Sequence, residues 1–211
     1  MNAIGFDDGP FRREHRGGVL LVGAVCSRTR LDGIVCGQVR RDGSDATRRM
    51  IELVESSQFE GHIRAVLLQG IAVGGFNVVD VHELASALKV PVLVIMRRLP
   101  DLDAVRRALF TDVPRQRPRV RGAAKKWKLI EQAGPIERLP APQRSTRSAG
   151  VGPSGLRGEG PSVWVQRVGL SMDAARKLVD ATTLHGNIPE PLRLAHLIAG
   201  GVTNGRSRGR A

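Results

Sequence analysis

The chain has 211 residues and a mass of 22.8 kDa, enough for one domain with a buried core, and we read residues 1–211 as such. Apolar residues make up 41% and charged residues 25%, but with five Phe, two Trp and no Tyr an aromatic base-stacking platform is not expected. The apolar runs Val19–Cys26 and Val90–Met96 fall far short of the ~20 residues that span a bilayer. The start MNAIGFDDGPF has two acids where an export signal needs an apolar stretch, so we expect no membrane partner and a cytoplasmic location.

The net charge of +13 is unevenly placed. Residues 113–161 carry +8, the last nine residues +3, and everything else only +2. Two readings fit this pattern, a phosphate-binding groove and a solvated arginine-rich linker. For Pro140–Pro161 the Pro, Gly and Ser content argues for a disordered insertion. The denser run Arg115–Lys128 is the candidate polyanion contact, through Arg115, Arg117, Arg119, Lys125 and Lys126, joined by Arg206 and Arg208 in the tail.

In chain order, Ala3–Asp7 reads as a strand stopped by Gly9-Pro10. Gly18–Cys26 and Leu31–Arg40 read as a hairpin turning at Asp32-Gly33, with Cys26 and Cys36 as possible cross-strand neighbours, both reduced and buried. The spacing of Ala46, Met50, Leu53 and Val54 predicts a helix capped by Ser44 or Asp45. Ile63–Leu68 is a strand, Val79–Leu88 a helix, Val90–Met96 a buried strand and Asp101–Phe110 a helix capped by Asp101. Ser162–Val168 is a strand, Ser171–Thr182 a helix opened by Ser171, and Pro189–Ile198 a helix started by prolines. Three antiparallel strands followed by strand–helix crossovers make an α/β fold with a mixed sheet, the order of elements in the ribonuclease H-like fold.

The chemistry-bearing candidates are acidic. Asp7-Asp8 ends the first strand; alternation turns the two carboxylates apart, and one can serve a site. Hard carboxylate oxygens suit Mg²⁺ or Mn²⁺, while the bland alternative is a turn in which the Asp side chains bond local N–H groups. Asp45 stands where the third strand meets the first helix, and Asp80 follows Gly74-Gly75 beyond the fourth strand, where open α/β sheets place their sites. We therefore take Asp7, Asp8, Asp45 and Asp80 as candidate catalytic residues, with Asp7, Asp45 and Asp80 as metal ligands for phosphodiester hydrolysis. His82-Glu83 lacks the second His of a zinc-protease helix, Gly70–Gly75 has neither dinucleotide nor P-loop spacing, and no GxSxG is present. His196, alone among apolar residues, reads as structural.

Five motifs together resemble the domain-of-unknown-function family ninety-nine: GFDDGPF at 5–11, DGSDAT at 42–47, GIAVGGFNVVD at 70–80, PVLVIMRRLPD at 91–101 and the terminal GNIPEPLRLAHLIAGGVTNGRSRGRA. That family is in turn similar to endonuclease V, a ribonuclease H-like, Mg²⁺-dependent enzyme that cuts nucleic acid near inosine. The resemblance implies an endonuclease V-like fold, a divalent cation, a DNA or RNA partner, and Asp7 as the first metal aspartate. It also implies two departures. Where endonuclease V has a second aspartate in a motif like VDG, this chain has Leu68-Gln69-Gly70. Where its late histidine stands in a motif like GHLMD, this chain has Gly169-Leu170-Ser171-Met172-Asp173 without a His. A metal-dependent nuclease and an inactive nucleic-acid-binding relative both remain open, as does an unrelated role on the same scaffold.

Overall fold

The computed structural model describes residues 2–12, 14–111, 120–140 and 162–208. Arg115, Arg117, Arg119 and nearly all of the expected 140–161 insertion lie outside the described residues. Among the described residues nine strands and six helices follow in the order β1 (Asn2–Asp8), β2 (Gly18–Ser27), β3 (Arg30–Arg40), α1 (Ala46–Glu55), β4 (Ala65–Gln69), β5 (Ala72–Val73), β6 (Asn77–Val78), α2 (Val81–Leu88), β7 (Val92–Met96), α3 (Leu102–Phe110), α4 (Ala123–Gln132), β8 (Glu137–Pro140), β9 (Ser162–Val168), α5 (Met172–Thr182) and α6 (Glu190–Asn204).

Seven strands form one sheet in the order β3-β2-β1-β4-β7-β9-β8. The β1, β4 and β7 strands are parallel, reached through the α1 and α2 crossovers; β2 and β3 run antiparallel on one side, β9 and β8 on the other. This is the mixed sheet that the element order predicts. Each central strand is apolar on both faces, as it must be with helices on either side. On one face Ile4, Phe6, Val66, Leu68 and Val94 meet Met50 and Val54 of α1 and Leu84 of α2. On the other Ala3, Leu67, Leu93 and Ile95 meet Leu178 and Val179 of α5 and Leu192 of α6.

Three local expectations are corrected. The β2–β3 hairpin turns at Arg28-Thr29, with Arg28 at φ 58°, and Asp32-Gly33 lies inside β3. That register sets Cys26 against Leu31 and Cys36 against Val22, so the cysteines are not neighbours; both are free, Cys26 buried and Cys36 exposed. Finally, Asp45 occupies the N-cap position of α1 without a side-chain cap bond. The Ala46 N–H instead donates to Asn77 Oδ1 at 3.0 Å, while Asp45 Oδ1 accepts from Asn77 Nδ2 at 2.7 Å. A side chain from the β5–β6 hairpin thus caps the helix, and Asp45 orients that side chain.

Candidate active site

The site begins with the close descent of α6 onto β1. A Cβ on Gly5 would stand 2.5 Å from the Pro191 carbonyl carbon and 2.6 Å from the Leu192 nitrogen, so the absence of a side chain lets the first turn of α6 touch the strand. From there α6 runs the same way as β1, bringing Thr203 against Gly9. Between these contacts His196 reaches Asp7, with Nδ1 2.8 Å from Oδ2. An ionised carboxylate only accepts, so Nδ1–H donates and the lone pair of the imidazole sits on Nε2. Asp7 is 8% exposed, whereas the His196 side chain is half exposed.

Alternation and register add the neighbours. Phe6 is level with Leu68, so Asp7 follows Gly5 onto the face that Gln69 shares with Leu67. One strand further, Arg97 continues the row of Leu93 and Ile95, and its positive field acts on Asp7. Asp7, Gln69, Arg97 and His196 therefore gather at the carboxyl ends of the three parallel strands, where open α/β sheets form sites. Asp8 points to the opposite face and accepts from the Gly74 N–H of the β5–β6 hairpin.

Burial pushes the Asp7 carboxyl above its ordinary value, although the hydrogen bond and charge of His196, the Asp8 N–H and Arg97 pull it down. Burial, reinforced by the negative charge of Asp7, raises Asp8 to about 6. A desolvated carboxylate is a donor that a cation relieves. Mg²⁺ is commonly held by one or two carboxylates with water and substrate phosphate completing its shell, and Asp7 with the Gln69 amide oxygen on the same face fits that manner of binding, whereas Asp8 faces away from it.

The other predicted residues are placed differently. Among the described residues no three His, Cys, Asp or Glu side chains form a group able to hold a metal, so the expected trio of Asp7, Asp45 and Asp80 is not assembled. Asp45 is tied to Asn77 and to the Arg40 N–H; burial alone would raise it, and these hydrogen bonds win and lower it. Asp80 caps α2, accepting from the His82 and Glu83 N–H groups at 3.1 and 3.0 Å. Lys126, expected at a phosphate groove, is 4% exposed, and its ammonium donates to the carbonyls of Asp42, Gly43 and Phe76. Lys125 is exposed on α4, and Arg206 and Arg208 are exposed beyond α6, which ends beside Gly9 at the Asp7 end of the sheet. His196 is the residue that sequence reasoning set aside. Its signal was the motif IPEPLRLAH itself, and its partner lies 189 positions away.

The endonuclease dU family matches residues 1–203. The chain belongs to the endonuclease dU family. Among its relatives is the UPF0215 protein of Deinococcus radiodurans, 47% identical over 208 residues that cover 99% of this chain and 92% of the relative. A crystal structure of an Archaeoglobus fulgidus protein of unknown function superposes with TM-score 0.74 at 31% identity, covering 95% and 97% of the two chains. Endonuclease V of Ciona intestinalis, in complex with a 24mer DNA containing an inosine followed by a ribo-adenosine, superposes with TM-score 0.51 at 15% identity, covering 92% and 82%. That likeness establishes the ribonuclease H-like α/β fold of this endonuclease dU family member. No helix among the described residues is long and apolar enough to cross a membrane.

Proposed function

We propose that this protein is a divalent-metal-dependent endonuclease that hydrolyses phosphodiester bonds of DNA or RNA at the Asp7–His196 pair, and that family ninety-nine, UPF0215 and endonuclease dU are one group. The observation that carries the reading is a buried carboxylate hydrogen-bonded to a half-exposed imidazole at the carboxyl ends of parallel strands. Asp7 fixes the tautomer of His196, so that Nε2 can take a proton from an attacking water or return one to the leaving oxygen. Arg97 contributes positive field beside Asp7 and suits a scissile phosphate. Asp7 would hold Mg²⁺ or Mn²⁺, with the Gln69 amide oxygen as a neutral neighbour on the same face and water completing the shell. When bound, the ion would neutralise phosphate charge and acidify a water. Arg206, Arg208 and Lys125, with Arg115, Arg117 and Arg119, would contact the phosphate backbone. The place of action is the cytoplasm, where free cysteines stay reduced.

The test uses the full chain and end-labelled single and double strands of DNA and RNA carrying one deoxyuridine, one inosine or neither, in Mg²⁺, Mn²⁺ or EDTA. Cleavage should vanish in EDTA and fall by about 10²–10⁴-fold in His196→Ala and Asp7→Asn. Cleavage indifferent to both substitutions would sink the proposal. Gln69, standing where the resemblance to endonuclease V calls for a carboxylate, favours one alternative, an inactive nucleic-acid-binding protein on the same fold. Salt-sensitive binding to these strands without cleavage in any metal would select it.

A further inference from the structure

Lys126 carries a charged group into the interior, and such a group is costly unless each N–H finds an acceptor. Three acceptors converge on it: the carbonyl oxygens of Asp42 at 3.1 Å, Phe76 at 2.5 Å, and Gly43. These carbonyls belong to two segments, the turn between β3 and α1 and the β5–β6 hairpin. The segments are also bonded to each other. Asp42 N–H donates to the Gly74 carbonyl at 2.8 Å, and Phe76 N–H donates to Asp42 Oδ1 at 2.8 Å. Gly74 takes φ 56° and Gly75 φ 85°, and a Cβ on Gly75 would stand 2.5 Å from Asp42 Oδ1, so the hairpin follows one narrow path against the turn. From that path the Gly74 N–H reaches the Asp8 carboxylate.

We infer that Lys126 is a positioning residue for the end of β1 that carries the candidate site: it stands where a bound cation would otherwise gather three carbonyls, and so fixes the hairpin that presents Gly74 N–H to Asp8, the residue next to Asp7 on the opposite face. The kinetic part of this inference rests on the phosphodiesterase reading given above; the structural part does not. A lysine that merely anchored α4 would leave Gly74 in place when removed. A lysine that locks the hairpin would not.

The test compares the full-length wild type with Lys126→Met and Lys126→Ala. Amide exchange followed by NMR should show Gly74 and Phe76 losing about tenfold or more of their protection in Lys126→Met, with the β4 amides of Val66 to Leu68 unchanged. On a labelled single strand carrying one deoxyuridine, kcat should fall about 10–100-fold while KM stays within about twofold. In Lys126→Ala, added n-propylammonium replaces the missing atoms and should restore both readings, whereas n-propanol should not. Wild-type protection at Gly74 in folded Lys126→Met would overturn the inference. If Lys126→Met does not fold, Lys126→Ala in n-propylammonium decides. A recovered fold with Gly74 protected supports it, and a recovered fold with Gly74 unprotected, or no recovery, overturns it. Should the wild type cut no strand, the functional reading fails and amide exchange alone decides about Lys126.

Discussion

Asp7 and Asp8 are consecutive residues that the pleat sends to opposite faces, one to His196 and the other to the Gly74 N–H. Their shared burial is a cost to the fold. Asp8 titrates at about 6 in the folded chain against 3.8 as its ordinary value. Between those values the folded chain holds more protons than the unfolded one, so stability falls as pH rises through the window and the penalty is complete above it. Asp8→Asn should therefore raise the urea stability by about 1–2 kcal/mol at pH 7.5 in EDTA, with the gain gone below the unfolded value. Equal gains at both pH values would contradict the assignment. Gln69 is the complementary case, a neutral group on the Asp7 face. Gln69→Asp should tighten Mg²⁺ binding by about tenfold in calorimetric titration, because ligand charge tunes cation affinity. Single-residue reasoning from sequence could identify these acids but not their company. An Asp followed by Gly-Pro announces a strand end, whereas nothing near His196 announces Asp7.

At the scale of elements, caps and periods were readable and short or charged elements were not. Asp101 accepts from Ala104 N–H and Ser171 from Ala174 N–H, as residues of those types before apolar-periodic runs suggest. The β5–β6 hairpin escaped because two-residue strands have no period to detect. The α4 helix was hidden by its lysines, since the run read as surface charge while Ala123, Lys126 and Ile130 face inward. Asp80 is the clearest example of a residue whose role depends on its element: proposed as a ligand, it caps α2. Asp80→Ala should cost about 1 kcal/mol in chemical denaturation and leave Mg²⁺ binding unchanged. Gly5 is where one element sets the position of another. Gly5→Ala drives a methyl group into the α6 backbone; it should cost about 1–3 kcal/mol and shift the His196 ring resonances as the helix lifts from β1. Unchanged resonances would show that α6 does not depend on that contact.

For the whole molecule, a mixed sheet with two helical faces follows from three antiparallel runs and later crossovers, and this was legible because each strand is a run of Val, Leu and Ile between turn residues. Which carboxyl end carries which side chain was not legible, because register belongs to strand pairing and not to composition. The charge of the molecule has a direct test. If the exposed tail at the Asp7 end touches phosphates, replacing Arg206 and Arg208 by Ala should reduce the log–log salt slope of oligonucleotide binding by about one for each phosphate no longer neutralised, with little effect on thermal stability.

The β8–β9 ladder has a consequence for how this chain tolerates change in length. Its last rung pairs Pro140 with Ser162, so the two residues that flank 141–161 stand side by side on the margin of the sheet. A change in the number of residues between them should therefore leave the spacing of the parallel strands untouched. The locus is a natural splice point, where a genetic reporter can be grafted or the stretch trimmed to a tight reverse turn without displacing Asp7 or His196.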